Sequence, residues 1–345
     1  PPAEMEEMPA SYTGWGEEYA ALQSAAGFAD LSSWGKLFFS GPDRNKFLNG
    51  LLTSDVLGLA PQTGFPCCVL TPKGKLRGDF LLYDLGERLL VVGVPPAVAN
   101  LKESISKVSL LSQTKMEDVS RGQGLFFLAG PKAEALMGSF FGAMAAPRRY
   151  GVRRAEWRGE GILILSYPRL RADGCLLLCP SACAKELWPS LIEGGAGLGV
   201  KPIGREALET LRVEAGVPLF GVDMDEETIP LEARLEEAIS FTKGCYMGQE
   251  TISRIQYLGH INKVLVGLRL TGEESPSSGA AVFADEEEIG KITSAVRSPK
   301  FGAILALATI RISESKPGTA LEIRDFSGTR AAEVVALEGV ENIPG

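Results

Sequence analysis

The chain has 345 residues, enough for two or three units of domain size, and its 45% hydrophobic and 23% charged residues are typical of a soluble globular protein. Its 43 acidic and 35 basic residues give a net charge of −8, which argues against a nucleic-acid-binding protein because phosphate neutralisation needs a concentrated basic face. No apolar run is long enough to cross a bilayer, so we expect neither a nucleic-acid partner nor a membrane partner.

The amino-terminal stretch and the cysteines indicate in which cellular compartment the protein works. Residues 1–9 are acidic and lack an apolar core, which is typical of neither a signal peptide nor a transit peptide. The six cysteines show no spacing of a small secreted disulfide framework. We therefore expect a reducing compartment, either the cytoplasm or, if an upstream targeting segment was removed, the matrix or stroma of an organelle.

Three similar segments recur along the chain, each an apolar strand followed by a proline and a helical pattern. The prolines are Pro42, Pro131 and Pro180. Proline is favoured in the first turn of a helix, where its missing N–H is not needed. The repeat therefore predicts strand-to-helix junctions of an α+β fold.

Other elements follow from local patterns between these copies. Residues 71–74 predict a hairpin turn between strands at 68–70 and 76–83. Residues 89–94 predict a further strand, and apolar residues at helical spacing predict a helix over 95–107.

The carboxyl-terminal half changes character. The glycine-rich residues 194–199 predict a loop, and residues 205–212 predict a helix that Gly216 ends. Beyond about residue 260 short β runs alternate with turns, which indicates a compact β-barrel or sandwich. We predict an α+β region over 1–258, made of two subdomains, and a β-barrel domain over 259–345.

Cys245 is the most distinctive candidate for chemistry. It lies between Gly244 and a tyrosine, with Lys243 two residues upstream and a predicted helix beginning shortly after Gly248. A nearby ammonium and a helix amino terminus both favour a thiolate, so Cys245 and Lys243 are our candidate catalytic residues. The alternative is a small buried residue in a tight turn.

The octapeptide over 243–250 resembles the K-G-C-Y-x-G-Q-E motif of the folate-binding YgfZ family, iron-sulfur cluster assembly and repair proteins related to the glycine-cleavage T-protein, an aminomethyltransferase. The resemblance covers nearly the whole chain and is also carried by residues 47–55, 211–216 and 289–294. It implies a T-protein-like fold of three subdomains in a ring around a central folate cleft, with a carboxyl-terminal β-barrel.

The resemblance also implies a cofactor, tetrahydrofolate or a one-carbon-substituted folate. A pterin presents adjacent donors that one carboxylate can accept as a pair. Glu214 is the candidate, because T-protein relatives use the glutamate of the matching L-R-x-E-A-G motif for the pterin. The alternative is a capping or salt-bridge residue near a helix end.

Asp79 lies near the position at which the T-protein carries a catalytic aspartate in a G-G-x-x-D-D pattern. Here Gly78 replaces one acidic residue of the pair. Since a carboxylate there would stabilise positive charge near the folate nitrogen, this departure weakens the transferase hypothesis. Asp79 can still lie beside a folate, or it can be an exposed strand residue.

The remaining candidate binding residues flank the thiol. Gln249, Glu250 and Arg254 can fix the thiol loop or form hydrogen bonds to a ligand, and Gly244 and Gly248 shape that loop. Gln249 and Glu250 fall in a first helical turn, where an acidic residue is favoured with or without a ligand.

We predict no metal site. His260 is the only histidine, and Pro180 divides the regularly spaced Cys175, Cys179 and Cys183 between a strand and a helix, which favours core packing. A stably bound iron-sulfur cluster would ordinarily need four thiolates in one place.

Three functional hypotheses follow. The first is an accessory factor that binds tetrahydrofolate and uses Cys245 to assist assembly or repair of iron-sulfur clusters, with client or assembly proteins as partners. The second is an enzyme, a folate-dependent aminomethyltransferase or demethylase. The third is a folate-sensing binding module without catalysis.

Overall fold

The computed structural model describes residues 8–108, 112–142, 147–171, 173–326 and 328–337. The chain divides into two compact units, the first formed by Pro1–Cys67 with Asp79–Leu208 and the second by Cys68–Gly78 with Glu209–Gly345. The domain boundary between residues 258 and 259 stays a prediction. None of the helices in the described ranges combines the length and apolar character needed to cross a membrane.

The described residues form helices and strands in mixed order. The helices are α1 Trp15–Ser24, α2 Arg44–Leu51, α3 Pro95–Val108, α4 Ala133–Phe141, α5 Ser181–Gly195, α6 Arg205–Glu214 and α7 Gln249–Leu258. The strands are β1 Gly27–Asp30, β2 Gly35–Ser40, β3 Gly64–Leu70, β4 Leu76–Asp84, β5 Leu89–Gly93, β6 Lys115–Asp118, β7 Gln123–Ala129, β8 Val152–Trp157, β9 Glu160–Ser166, β10 Cys175–Pro180, β11 Lys201–Pro202, β12 Lys263–Leu270, β13 Ala281–Ala284, β14 Glu287–Ser298, β15 Ala303–Arg311, β16 Ala320–Asp325 and β17 Gly328–Val335.

A six-stranded sheet of the first unit contains two of the three repeats. Its order is β11-β1-β7-β10-β9-β8, and β7 and β10 lead into α4 and α5 as predicted. Cys175, Cys179 and Cys183 lie in the hydrophobic core formed with these helices, which confirms their prediction as packing residues. Burial raises the pKa of the Cys175 and Cys179 thiols to about 12 in each case, so both stay protonated near neutral pH.

A five-stranded sheet has the order β3-β4-β5-β2-β6 and contains the remaining repeat, β2 followed by α2. The hairpin turn between β3 and β4 is confirmed: Thr71 N–H donates to the Lys75 carbonyl over 2.8 Å. The strand β5 and the helix α3 also lie where the sequence predicts them.

Lys36 of β2 is a fully buried cation with uncharged hydrogen-bond acceptors. Its side-chain nitrogen donates to the backbone carbonyls of Ser32 at 2.8 Å and Gln123 at 2.9 Å. Burial lowers its pKa to about 8, although the charges of Asp30 and Asp118 oppose that change.

The glycine-rich stretch is partly helical, so the prediction of a loop over 194–199 is wrong. Helix α5 continues to Gly195, and a turn of 3-10 helix covers Ala196–Leu198. A Cβ atom at Gly194 would lie 2.8 Å from the Phe140 ring, and one at Gly195 would lie 2.7 Å from the Val200 side chain. These glycines allow close packing rather than breaking the helix.

The second unit contains a closed barrel with the strand order β12-β15-β14-β13-β16-β17, which confirms the predicted carboxyl-terminal β-barrel. Pairing between β14 and β15 shifts register between Ile292 and Ser294, a β-bulge. An extra residue in a strand exchanges the faces to which the following side chains point. Ile292 accordingly belongs to the barrel core, whereas Val296 packs with Val213 of α6 outside it.

Helix α6 ends as the sequence predicts. Gly216 adopts a left-handed φ of 67°, a conformation that glycine adopts at little cost. Its N–H donates to the Val213 carbonyl over 3.0 Å, and Val217 N–H donates to the Arg212 carbonyl over 3.1 Å. The helix therefore stops two residues after Arg212 and leaves Glu214 at its last position.

Candidate functional site

Glu214 is a buried carboxylate at the carboxyl-terminal end of α6. Its residue exposure is 5%, and Oε1 accepts a hydrogen bond from the Ser298 hydroxyl of β14. The same hydroxyl accepts a hydrogen bond of 3.1 Å from Phe301 N–H. Ser298 thus links the helix end to the turn that follows β14.

The position of Glu214 is unfavourable for an acidic residue that serves stability alone. The carboxyl-terminal end of a helix carries partial negative charge, and burial removes the carboxylate from water. Ser298 provides a neutral donor, so this contact orients the carboxylate without cancelling its charge. A buried carboxylate held in this way can accept hydrogen bonds from a ligand.

Arg212 fixes the last turn of α6 against the barrel. Its guanidinium lies 2.6 Å from the Asp223 carboxylate and donates to the Ser294 hydroxyl over 2.7 Å. Asp223 also accepts hydrogen bonds from the hydroxyls of Thr293 and Ser294, over 2.6 and 2.7 Å. Burial lowers the pKa of Arg212, but Glu209 and Asp223 outweigh that effect and raise it, which keeps the guanidinium charged. This network holds the backbone that presents Glu214.

Asp79 is a buried carboxylate of β4 in the first unit. It is 9% exposed, and the Arg169 guanidinium lies 2.7 Å from its Oδ2. Burial opposes the charge on Arg169, but the negative charge of Asp79 outweighs it and raises the arginine pKa. The interpretation of Asp79 as an exposed strand residue is wrong, because Asp79 forms a buried ion pair.

Cys245 is exposed, whereas the other five cysteines are buried. The interpretation of Cys245 as a buried packing residue is therefore wrong. The Lys243 ammonium lies 5.0 Å from the centre of the Tyr246 ring, a cation–π contact. Burial is the main cause that raises the pKa of Tyr246 to about 12, and electrostatic repulsion from Cys68 adds to it, so the Tyr246 hydroxyl stays neutral. A Cβ atom at Gly244 would meet no atom within 4 Å, which leaves the backbone beside the thiol open.

Gly248 fixes the start of α7 on the hairpin turn. Its φ of 82° is left-handed, and a Cβ atom there would lie 2.6 Å from the Thr71 carbonyl oxygen. Gln249 begins α7 as predicted, and its side-chain amide donates to the Lys243 carbonyl over 3.4 Å. These contacts define the loop that carries Cys245.

Glu250 and Arg254 form a salt bridge of 2.8 Å on the surface of α7, with 85% and 69% of their side chains exposed. Exposed pairs at this spacing contribute only about 0.3–0.5 kcal/mol to stability. The pair occupies both side chains with each other, and their predicted role toward a ligand stays a prediction.

The candidate residues fall in both units: Asp79 belongs to the first unit, and the other candidates belong to the second. Sequence reasoning missed Ser298 and Arg169, the partners of the two buried carboxylates. A serine before a proline at a strand end, and an arginine in a loop, give no local indication of such distant partners. Among the residues that the structure describes, no group of three His, Cys, Asp or Glu side chains could hold a metal ion.

Comparison with known families accounts for both parts of the chain. Residues 3–243 match the GCVT N-terminal domain, and residues 263–338 match the glycine cleavage T-protein C-terminal barrel domain. The chain belongs to the glycine cleavage T-protein family. Aminomethyltransferases of this family use tetrahydrofolate. Family membership supports the T-protein part of the resemblance and does not distinguish the narrower YgfZ group.

Individual relatives agree with this assignment. An aminomethyltransferase from Saccharopolyspora erythraea is 30% identical over 96% of this chain and 91% of its own length. One from Rubrobacter xylanophilus is 33% identical over 92% of this chain and 85% of its own length. The crystal structure of glycine cleavage system aminomethyltransferase T from Bartonella henselae has a TM-score of 0.87 at 24% identity and covers 97% of this chain and 92% of that chain. At that identity the match establishes the fold alone.

Proposed function

We propose that this protein is a folate-dependent one-carbon transferase that delivers an aminomethyl or methyl group to tetrahydrofolate. Family membership and the aminomethyltransferase relatives support this function. The observation that carries it is the buried Glu214 carboxylate, which sits where helix polarity disfavours it and accepts a hydrogen bond from a neutral hydroxyl.

The donor chemistry of a reduced pterin fits this carboxylate. The pterin edge offers adjacent N–H donors, and the two oxygens of one carboxylate can accept both. Bound tetrahydrofolate would supply the nitrogen nucleophile that receives the one-carbon group. Glu214 binds and orients the pterin, while Arg212 holds the helix end from which Glu214 projects.

We expect Asp79 to contribute less to catalysis than an aspartate without a cationic partner would. Its charge is matched by Arg169, and its neighbour Gly78 replaces the second acidic residue of the T-protein pattern. A carboxylate paired with a cation stabilises developing positive charge less than an unpaired one does. We therefore expect slow turnover compared with a T-protein that keeps both acidic residues.

The direct test incubates the purified protein with tetrahydrofolate and an aminomethyl or methyl amine donor and measures consumption of tetrahydrofolate. We expect turnover that Glu214→Gln reduces at least tenfold and that Cys245→Ala leaves unchanged. The matched control is Glu273→Gln, an exposed glutamate of the same unit that is not among the candidate binding residues. Absence of both turnover and folate binding in the unmodified protein would refute the proposal.

The exposed thiol favours a second candidate function, an accessory factor for assembly or repair of iron-sulfur clusters in client enzymes. Cys245 is exposed in the K-G-C-Y-x-G-Q-E motif, while the other five cysteines are buried. Under this alternative, Cys245→Ser would abolish rescue of an iron-sulfur enzyme in cells that lack the native protein. Under the transferase proposal, the same variant would rescue as well as the unmodified protein does.

A further inference from the structure

A hydroxyl of the barrel contacts the Glu214 carboxylate directly. Ser298 is 1% exposed and is the last residue of β14. Its oxygen accepts from Phe301 N–H, and its only proton is directed to Glu214 Oε1. Since an ionised carboxylate only accepts hydrogen bonds, the serine hydroxyl must be the donor in this contact.

The β14 strand brings this hydroxyl to the helix through the bulge at Ile292–Ser294. After the bulge, Ser294 bonds to Arg212, Val296 packs with Val213, and Ser298 bonds to Glu214. Two hydrogen bonds and a shared apolar cluster therefore join this face of the strand to three successive residues of α6. Ser298 cannot shift along this face without disturbing the other two contacts.

We propose that Ser298 is a positioning residue for folate recognition: it sets the rotation of the Glu214 carboxylate so that the oxygens meet the paired donors of the pterin. This inference rests on the proposed function. Without the serine hydroxyl, the carboxylate loses a hydrogen bond that restrains the rotation of its plane. Recognition of paired donors depends on that plane, whereas simple attraction of charge does not.

The test measures the dissociation constant for tetrahydrofolate by calorimetry. Ser298→Ala weakens binding about tenfold, as expected for removal of one hydrogen bond to a charged group. Ser298→Thr keeps the hydroxyl and restores binding to within about threefold of the unmodified protein. Ser315→Ala is the matched control, because Ser315 is a buried serine of the same unit whose hydroxyl donates to the Ile312 carbonyl. It leaves the dissociation constant unchanged.

A second readout separates positioning from general stabilisation of the turn. A tetrahydrofolate analogue without the 2-amino group offers only one donor to Glu214. The unmodified protein prefers tetrahydrofolate to this analogue, and Ser298→Ala reduces the preference. Loss of folding alone would lower the fraction of binding-competent protein equally for both compounds and leave their ratio unchanged.

A double-variant cycle completes the test. Adding Ser298→Ala to Glu214→Gln causes no further loss of affinity if the serine acts through the glutamate. If Ser298→Ala fails to fold, Ser298→Cys keeps the size and a weak donor, and it gives an intermediate loss that also disappears in the Glu214→Gln background.

The outcomes distinguish the two proposals. Wild-type affinity and selectivity in Ser298→Ala would overturn the positioning role, as would a loss that persists in the Glu214→Gln background. Wild-type affinity in Glu214→Gln would instead overturn the proposed folate site itself.

Discussion

Glu214 and Asp79 are both buried carboxylates, but the partners that the structure gives them differ. Ser298 offers Glu214 a neutral hydroxyl, whereas Arg169 offers Asp79 a guanidinium at 2.7 Å. A neutral donor orients a carboxylate and leaves its charge available to a ligand, while a cation cancels much of that charge. Burial alone therefore does not distinguish the two carboxylates, whereas the charge of the contacting group does: a hydroxyl for Glu214 and a guanidinium for Asp79.

The largest expected effect comes from breaking the ion pair. Arg169→Met leaves Asp79 as a buried charge without its cation, and we expect it to lower the free energy of unfolding by about 3–5 kcal/mol. Urea titration measures this loss. The double variant Arg169→Met with Asp79→Asn removes both charges, and it should recover part of the stability. A loss below about 1 kcal/mol in the single variant would show that the pair does not stabilise the fold.

Lys36 extends the comparison to a buried positive charge. The two acceptors that its side-chain nitrogen contacts are neutral backbone carbonyls. Its pKa is lowered from 10.5 to about 8, so between these values the unfolded chain binds more protons than the folded protein does. Stability should therefore rise with pH across this window, by about 3 kcal/mol at about 1.4 kcal/mol for each unit of pKa.

The measurement is the difference in unfolding free energy between the unmodified protein and Lys36→Met, taken at intervals from pH 7 to pH 11. Subtraction removes the other titrating groups common to both proteins. A difference that stays flat between pH 8 and 10.5 would contradict the lowered pKa.

The comparison becomes sharper when the two carboxylates are neutralised separately. We expect Glu214→Gln to weaken tetrahydrofolate binding by about 1.5–3 kcal/mol, the range for hydrogen bonds to a charged group. Asp79→Asn should cost less affinity, because Arg169 already balances the Asp79 charge. Equal losses in the two variants, measured by calorimetry, would remove the distinction between them.

Cys245 should show the smallest effect on stability because it is exposed. We expect Cys245→Ser to change the free energy of unfolding by less than about 0.5 kcal/mol. In the folded protein, iodoacetamide should modify Cys245 first, since the other five thiols are buried. Mass spectrometry of tryptic peptides measures this order. Early labelling of Cys175 would indicate that the first unit opens under the conditions of the experiment.

Local features of the fold could be predicted from the sequence, and long-range partners could not. Proline just ahead of a helix and Gly216 at a helix end impose conformations through their own backbone chemistry, so β7–α4, β10–α5 and the end of α6 followed directly. Gly194 and Gly195 were mistaken for a loop because their function is to admit the Phe140 ring and the Val200 side chain.

In the candidate site, too, the sequence predicted local features but not long-range partners. The motif around Cys245 and the position of Glu214 were visible as sequence patterns, and the structure places the thiol on the surface and the carboxylate in the interior. Their partners were not visible, because Ser298 lies 84 residues from Glu214 and Arg169 lies 90 residues from Asp79. Only the folded chain brings these residues together.

The bulge in β14 governs whether barrels from related proteins can be exchanged. If β14 ran through Thr293 as a regular strand, Ser294 and Ser298 would share a face with Ile292, and their hydroxyls would turn toward the apolar barrel interior and leave Arg212 and Glu214. A chimera whose barrel keeps the residues around Thr293 but pairs this strand regularly could still close its six strands. It would carry a folded barrel and a helix end with two charged side chains deprived of their hydroxyl partners.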